Sequence, residues 1–143
     1  MSLFEKLQRA KEEKMQRAVE EGRRFMAENA RREVVETLPG GLQIEVLKQG
    51  TGPVPGFQDT VTCHYHGTLI DGRVFDSSEQ RGRPASFPVS RVIAGWTAAL
   101  QRMPVGSRYR LVIPPHLAYG DQQAGPLIGP NSTLIFEVEL LGF

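Results

Sequence analysis

The chain changes character at one point, the pentapeptide Thr37-Leu38-Pro39-Gly40-Gly41. Residues 1–36 contain no proline and one glycine, Gly22. From Pro39 onward come all 10 prolines and 14 of the 15 glycines of this 143-residue chain. Proline removes a backbone donor and glycine loosens a helix interior, so a long helix is open to the first part and closed to the second. The first part is rich in Ala, Glu, Lys, Arg, Gln and Met, all good helix formers. Its apolar residues Phe4, Leu7, Met15, Ala18, Val19, Phe25, Met26 and Ala30 recur at spacings that fit one helical face. Acidic-to-basic i,i+4 pairs repeat at Glu5–Arg9, Glu13–Arg17, Glu20–Arg24 and Glu28–Arg32. The spacing predicts an amphipathic helix over 1–36, a hinge at 37–41, and a second unit over 42–143. A helix of some 30 residues would be about 45 Å long, more than a small domain covers. Its stripe can lie on the domain, pair with a second chain, or grip an unfolded client.

Beyond the hinge the hydrophobic period falls to two. Leu42, Ile44 and Val46 alternate with polar neighbours, as do Val61, Cys63, Tyr65 and Leu69. The same holds for Tyr109, Leu111 and Ile113, and for Leu134, Phe136, Val138 and Leu140. Each run reads as a strand with one buried face. Asp71-Gly72 marks a hairpin. One short helix is expected between Arg91 and Arg102, with Val92, Trp96, Ala99 and Leu100 on one side. The expected fold class is α+β: an antiparallel twisted β-sheet wrapped around one short helix, preceded by a long N-terminal α-helix.

Several function classes fall away. The net charge is +1, which gives no electrostatic grip on nucleic acid. No run of apolar residues is long enough to span a bilayer, so no membrane partner is expected. Cys63 stands alone, excluding an internal disulfide and a cysteine-based zinc site; it reads as buried filler. There is no GxSxG, no phosphate-cradling loop, no HExxH and no EF-hand loop. His64 and His66 share the outer face of one strand with no third ligand evident, so no metal and no cofactor are expected. MSLFEKLQRAKEEK is no secretory signal, which predicts a cytoplasmic protein. A longer native N-terminus carrying an export signal would make it periplasmic.

What remains is an aromatic set, Tyr65, Phe75, Phe87, Trp96, Tyr119 and Phe136, with Asp76 directly after Phe75. The positions are a strand end, a helix start and a long loop, where a half-open apolar pocket forms. The loop from Leu117 to Ser132 carries Leu127 and Ile128 and is long enough to be functional.

These residues carry a resemblance. Tyr65-x-Gly67, Val74-Phe75-Asp76-Ser77-Ser78, Val92-Ile93-x-Gly95-Trp96-x-x-Ala99-Leu100, Met103-Pro104-Val105-Gly106, Ala118-Tyr119-Gly120 and Asn131-Ser132-Thr133-Leu134-Ile135-Phe136 occur in order. Together they resemble the FKBP-type peptidyl-prolyl cis-trans isomerases, over residues 41–143. Phe25-Met26-Ala27-Glu28-Asn29-Ala30 and Gly41-Leu42-Gln43 resemble the bacterial branch related to macrophage infectivity potentiators. The resemblance implies a prolyl isomerase acting on proline-containing segments of unfolded proteins, with a chaperone role in folding. The alternative is a module that binds such segments without turnover. It implies catalytic positions at Tyr65, Phe75, Asp76, Trp96, Tyr119 and Phe136. Substrate contacts fall on Val92, Ile93, Leu127 and Ile128, with the Ile93 N–H and the Tyr119 hydroxyl meeting substrate carbonyls. Macrolide inhibitors are implied ligands, and a homodimer through the N-terminal helix is an implied assembly. An aromatic wall of many eukaryotic members falls on Ala85, a loop histidine on Ala124, and another aromatic on Leu117.

Overall fold

The computed structural model describes all 143 residues. Helix α1 runs Leu3–Ala30, with the Ser2 side chain capping its first turn by accepting from the Glu5 N–H. It is followed by strands β1 (Val35–Thr37), β2 (Gln43–Lys48), β3 (Thr60–Leu69) and β4 (Val74–Ser77). A single helical turn α2 (Ser78–Arg81) leads to β5 (Ala85–Pro88) and helix α3 (Ala94–Leu100). Strands β6 (Arg108–Ile113) and β7 (Leu134–Gly142) complete the sheet. The strand order is β1-β2-β6-β7-β3-β4, all antiparallel, with β5 also paired to β3. The α+β architecture with a long leading helix is therefore the one the periods predict.

Three details of the expected layout change. The first helix stops at Ala30 rather than near 36, because Val35, Glu36 and Thr37 pair with Glu45, Ile44 and Gln43. The expected hinge is a closed turn. The Leu38 N–H donates to the Leu42 carbonyl at 2.8 Å, and Leu38 itself is buried in the core. Gly40 and Gly41 make the turn with φ of +91° and +98°, a region that side chains disfavour. The short helix is also tighter than expected, seven residues instead of Arg91 to Arg102.

The core is one cluster of 20 buried apolar residues. Strand positions such as Val61, Cys63, Leu111, Ile113, Leu134 and Val138 supply one face, and Trp96, Ala99 and Leu100 of α3 close on it. Gly95 permits this approach, since a Cβ there would lie 2.7 Å from Ile113. By contrast α1 buries only Gly22 and Asn29. Gly22 passes so close to Thr133 that a Cβ would collide with its hydroxyl. Further along, the Asn29 amide donates to Gln43 Oε1 and Gln43 Nε2 donates to the Met26 carbonyl, both at 2.8 Å. Arg32 forks onto Glu45 at 2.8 and 3.0 Å. The helix is thus seated by a polar seam along its C-terminal part. Of the four expected i,i+4 pairs only Glu20–Arg24 is within reach, at 3.9 Å, and Glu20 lies closer to Arg23. Arg32 leaves Glu28 for Glu45, where two parallel bonds fit a guanidinium better than one flexible pair. No helix is long and apolar enough to cross a membrane.

Candidate active site

The strand β3 edge opposite β7 is shared, with β5 against Thr60–Cys63 and β4 against His66–Thr68. Between those pairings Tyr65 has no strand neighbour on that side. The fully buried Ser78 hydroxyl fills the gap by accepting from the Tyr65 N–H at 2.7 Å. Ser77 caps α2 by accepting from the Gln80 N–H at 3.2 Å. This small bulge has a consequence for the site: it swings Arg81 back over the Tyr65 ring, with the guanidinium carbon 5.7 Å from the centroid.

There Tyr65, Asp76 and Arg81 form a closed triangle. The Tyr65 hydroxyl donates to Asp76 at 2.7 Å and accepts from Arg81 at 2.8 Å, and Arg81 pairs with the other Asp76 oxygen. Burial alone would raise the Asp76 carboxyl, but the bonds from Tyr65 and Arg81 hold it below its ordinary value. Burial, then the bond to Asp76, pushes the Tyr65 phenol upward. Asp76 is therefore an anion that fixes a neutral tyrosine.

Beside the triangle opens a cleft of about 560 Å³. Trp96 is 4% exposed and meets three rings edge to face: Tyr65 at 5.4 Å, Phe87 at 5.4 Å and Phe136 at 5.2 Å. Phe75 packs edge-on against Phe136 at 5.3 Å. Such pairs contribute about 0.5–1.5 kcal/mol each beyond area burial. Gly67 makes room for them, because a Cβ there would stand 2.7 Å from Phe75 and 2.9 Å from Phe136. Trp96 Nε1 is buried without a hydrogen-bond acceptor, so the indole serves as an apolar surface.

Strand β5 enters the cleft only through Phe87. After it the chain turns once at Val89–Arg91, and Val92 and Ile93 line the rim before α3 begins. The Ile93 N–H donates to no backbone carbonyl, which leaves it available at the rim. Tyr119 stands opposite, 43% exposed, on the long loop. That loop folds over on itself through an Ala124–Ile128 bridge and a 2.8 Å bond from the Asn131 N–H to the Gly120 carbonyl.

All six positions expected to be catalytic, Tyr65, Phe75, Asp76, Trp96, Tyr119 and Phe136, line this one cleft, as do Val92, Ile93 and Ile128. Leu127 does not. Adjacent extended residues point to opposite sides, so with Ile128 turned inward Leu127 faces the groove toward α1. Sequence reasoning missed Arg81 and Arg91, and it set Phe87 among the pocket aromatics without giving it a place in the wall. Phe87 had a signal, a Phe-Pro strand end just ahead of the expected helix. Arg81 had none, because its role depends on the bulge. His64 and His66 lie outside the cleft, bonded to Ser78 and Ser77. No group of three or more His, Cys, Asp or Glu side chains is arranged to hold a metal ion. Cys63 is fully buried, and burial pushes its thiol up to about 12, so it stays protonated and inert.

Residues 52–141 match the FKBP-type peptidyl-prolyl cis-trans isomerase family, and residues 1–46 match the domain amino-terminal to such isomerases. The FKBP-type 22 kDa peptidyl-prolyl cis-trans isomerase of Escherichia coli K12 is 57% identical over 109 residues, 76% of this chain and 53% of that protein. The outer membrane protein MIP of Legionella longbeachae is 55% identical over 107 residues, 75% of this chain and 46% of that protein. The chain thus spans about half the length of these curated relatives. The crystal structure of FkpA from Escherichia coli superposes with a TM-score of 0.89 at 43% identity, covering 94% of this chain and 62% of that one. A peptidyl-prolyl cis-trans isomerase from Pseudomonas syringae superposes with a TM-score of 0.83 at 42% identity, covering 90% and 94%. The cytoplasmic expectation finds no support here, since one relative bears an outer-membrane name.

Proposed function

The chain belongs to the FKBP-type peptidyl-prolyl cis-trans isomerase family, and from that membership we propose that it accelerates rotation about X-Pro bonds in unfolded or flexible polypeptides. The observation that carries this reading is the ring-walled cleft with two donors at its rim, the Ile93 N–H and the Tyr119 hydroxyl. Amide resonance makes the bond resist rotation by about 18–20 kcal/mol. Resonance also separates charge, so water favours the planar form. A proline ring seated against Trp96 among Tyr65, Phe75, Phe87 and Phe136 loses that water. The twisted amide, being less polar, gives up less. Donors at the rim hold the peptide carbonyls in place, and a bond that tightens as the amide twists lowers the barrier. No covalent bond breaks, so no nucleophile, metal or acid–base pair enters.

Within this reading Asp76 and Arg81 lock the Tyr65 ring as a wall. Residues 42–143 form the isomerase unit, and the helix acts on longer clients. Leu3, Phe4, Leu7 and Val19, each about half or more exposed, offer an apolar stripe for such a client or for a homodimer. Macrolides that mimic a prolyl peptide would compete in the cleft. An envelope location is preferred to the cytoplasm because of the relative named for the outer membrane.

The deciding experiment is refolding of a substrate protein limited by proline isomerisation. Acceleration at catalytic concentration, blocked by a macrolide, supports the enzyme. A rate equal to buffer alone, with peptide still bound, leaves only the binding module.

A further inference from the structure

The cleft carries two charged residues among its 13 lining residues, Asp76 and Arg91. They differ in one respect. Asp76 is neutralised by Arg81 and bonded to Tyr65. Arg91 is exposed, and no carboxylate of the chain lies within 4.0 Å of it; every ion pair of the molecule involves other residues. The other acidic side chains of the neighbouring segments, Asp59 before β3 and Asp121 on the long loop, are engaged elsewhere. Asp59 accepts from the Gly56 N–H at 2.7 Å, and Asp121 accepts from Gln122 at 3.0 Å. An aromatic-walled cleft thus presents one uncompensated cation at its rim.

We propose that Arg91 makes the cleft selective for prolyl segments with an acidic side chain next to the proline. This rests on the isomerase reading of the same cleft and adds the chemistry of its substrate. Arg91 closes the helical turn at Val89–Arg91 and directly precedes Val92 and Ile93. A peptide whose carbonyl meets the Ile93 N–H passes within side-chain reach of the guanidinium. There a carboxylate gains a partner that Gln cannot match, and a Lys meets a like charge. Apolar walls of low dielectric strengthen both effects, and the solvent at the rim limits them. An exposed ion pair corresponds to about a two- to fivefold change in affinity, shrinking as salt screens it. The guanidinium meets the flanking side chain and not the rotating amide. The preference therefore belongs in KM, with kcat unchanged.

Two peptide series test this, Ala-X-Pro-Phe and Ala-Ala-Pro-X, with X as Glu, Gln or Lys, at low and high salt. Isomerisation of the Gln peptides by the native protein tests the isomerase reading alone. The ratio of Glu to Lys tests Arg91. The expected result is a Glu preference of about two- to fivefold over Gln in at least one series, carried by KM and weakened by salt. Arg91→Gln removes it and Arg91→Glu reverses it toward Lys, in each case through KM. Arg83→Gln, which removes an exposed cation outside the cleft, leaves the ratio as it was. Should turnover be absent, quenching of the single tryptophan, Trp96, by the same peptides reads the same ratio as binding. Equal values for Glu, Gln and Lys in both series, or a preference that survives Arg91→Gln, overturn the proposal.

Discussion

The long helix and the sheet solve the burial problem in opposite ways. The sheet closes on α3 around 20 apolar residues. The helix buries only a glycine and an asparagine, and leaves Phe4 and Leu7 at 74% and 62% exposure. Apolar periodicity is present in both regions, so it does not by itself say what a stripe packs against. In the sheet the partner is the chain's own α3. Along the helix the hydrogen-bonded attachment runs through Asn29, Gln43, Arg32 and Glu45 near its C-terminal end, while Met15, Ala18, Phe25 and Met26 are half-buried and Leu3, Phe4 and Leu7 stay exposed.

The sharpest way to break this contrast is to truncate a leucine in each region. Leu134→Ala, at a site with no exposure, is expected to cost about 2–5 kcal/mol in urea unfolding. Leu7→Ala is expected to change stability by less than about 0.5 kcal/mol. Similar costs would mean that the helix end is packed after all. The seam comes next. Gln43→Ala leaves the Met26 carbonyl and the Asn29 amide without their partner, at about 1–3 kcal/mol. Hydrogen exchange should then open the last turns of α1 while strands β3 and β7 stay protected.

Turnover sharpens the contrast from the other side. Asp76→Asn frees the Tyr65 ring and is expected to lower kcat/KM about tenfold, a difference near 1.4 kcal/mol. Removal of residues 1–14, every one exposed, is expected to leave tetrapeptide turnover within about twofold while refolding of a long client slows. Equal losses on both substrates would contradict the division between helix and cleft. The smallest effect is one of pH. The folded Asp76 carboxyl sits below its unfolded value, so its stabilising contribution is complete above that ordinary value and disappears as pH falls through the folded one. The gap in stability between the native protein and Asp76→Asn should therefore narrow on acidification. A gap constant with pH would mean that the carboxylate charge is not what matters.

The sheet was legible because alternation along β3, β6 and β7 reflects burial on one face. Most of the cleft was legible because its rings sit in ordered motifs. What escaped depended on distant pairing. Val35 and Glu36 fall at the end of the expected helix and Thr37 at the start of the expected hinge, and the three become a strand only because β2 returns beside them. Ser78 to Arg81 is a four-residue turn too short to leave a periodic trace, and only its place on the β3 edge brings Arg81 to Asp76. Leu127 and Ile128 are equally apolar, and nothing short of the loop's bridge decides which one turns inward. The polar seam was invisible for a related reason. Gln43 reads as the outward half of a strand until a helix is laid over it.

The claim under the whole account is that the ring-walled cleft catalyses rotation about a prolyl bond. Exchange NMR of a neutral prolyl tetrapeptide measures this directly, with the native protein and with Trp96→Ala verified as folded by its strand amides. Rapid cis–trans exchange is expected with the native protein, with a loss of at least tenfold in Trp96→Ala. Exchange at the uncatalysed rate with the native protein, or equal catalysis by both, would contradict it.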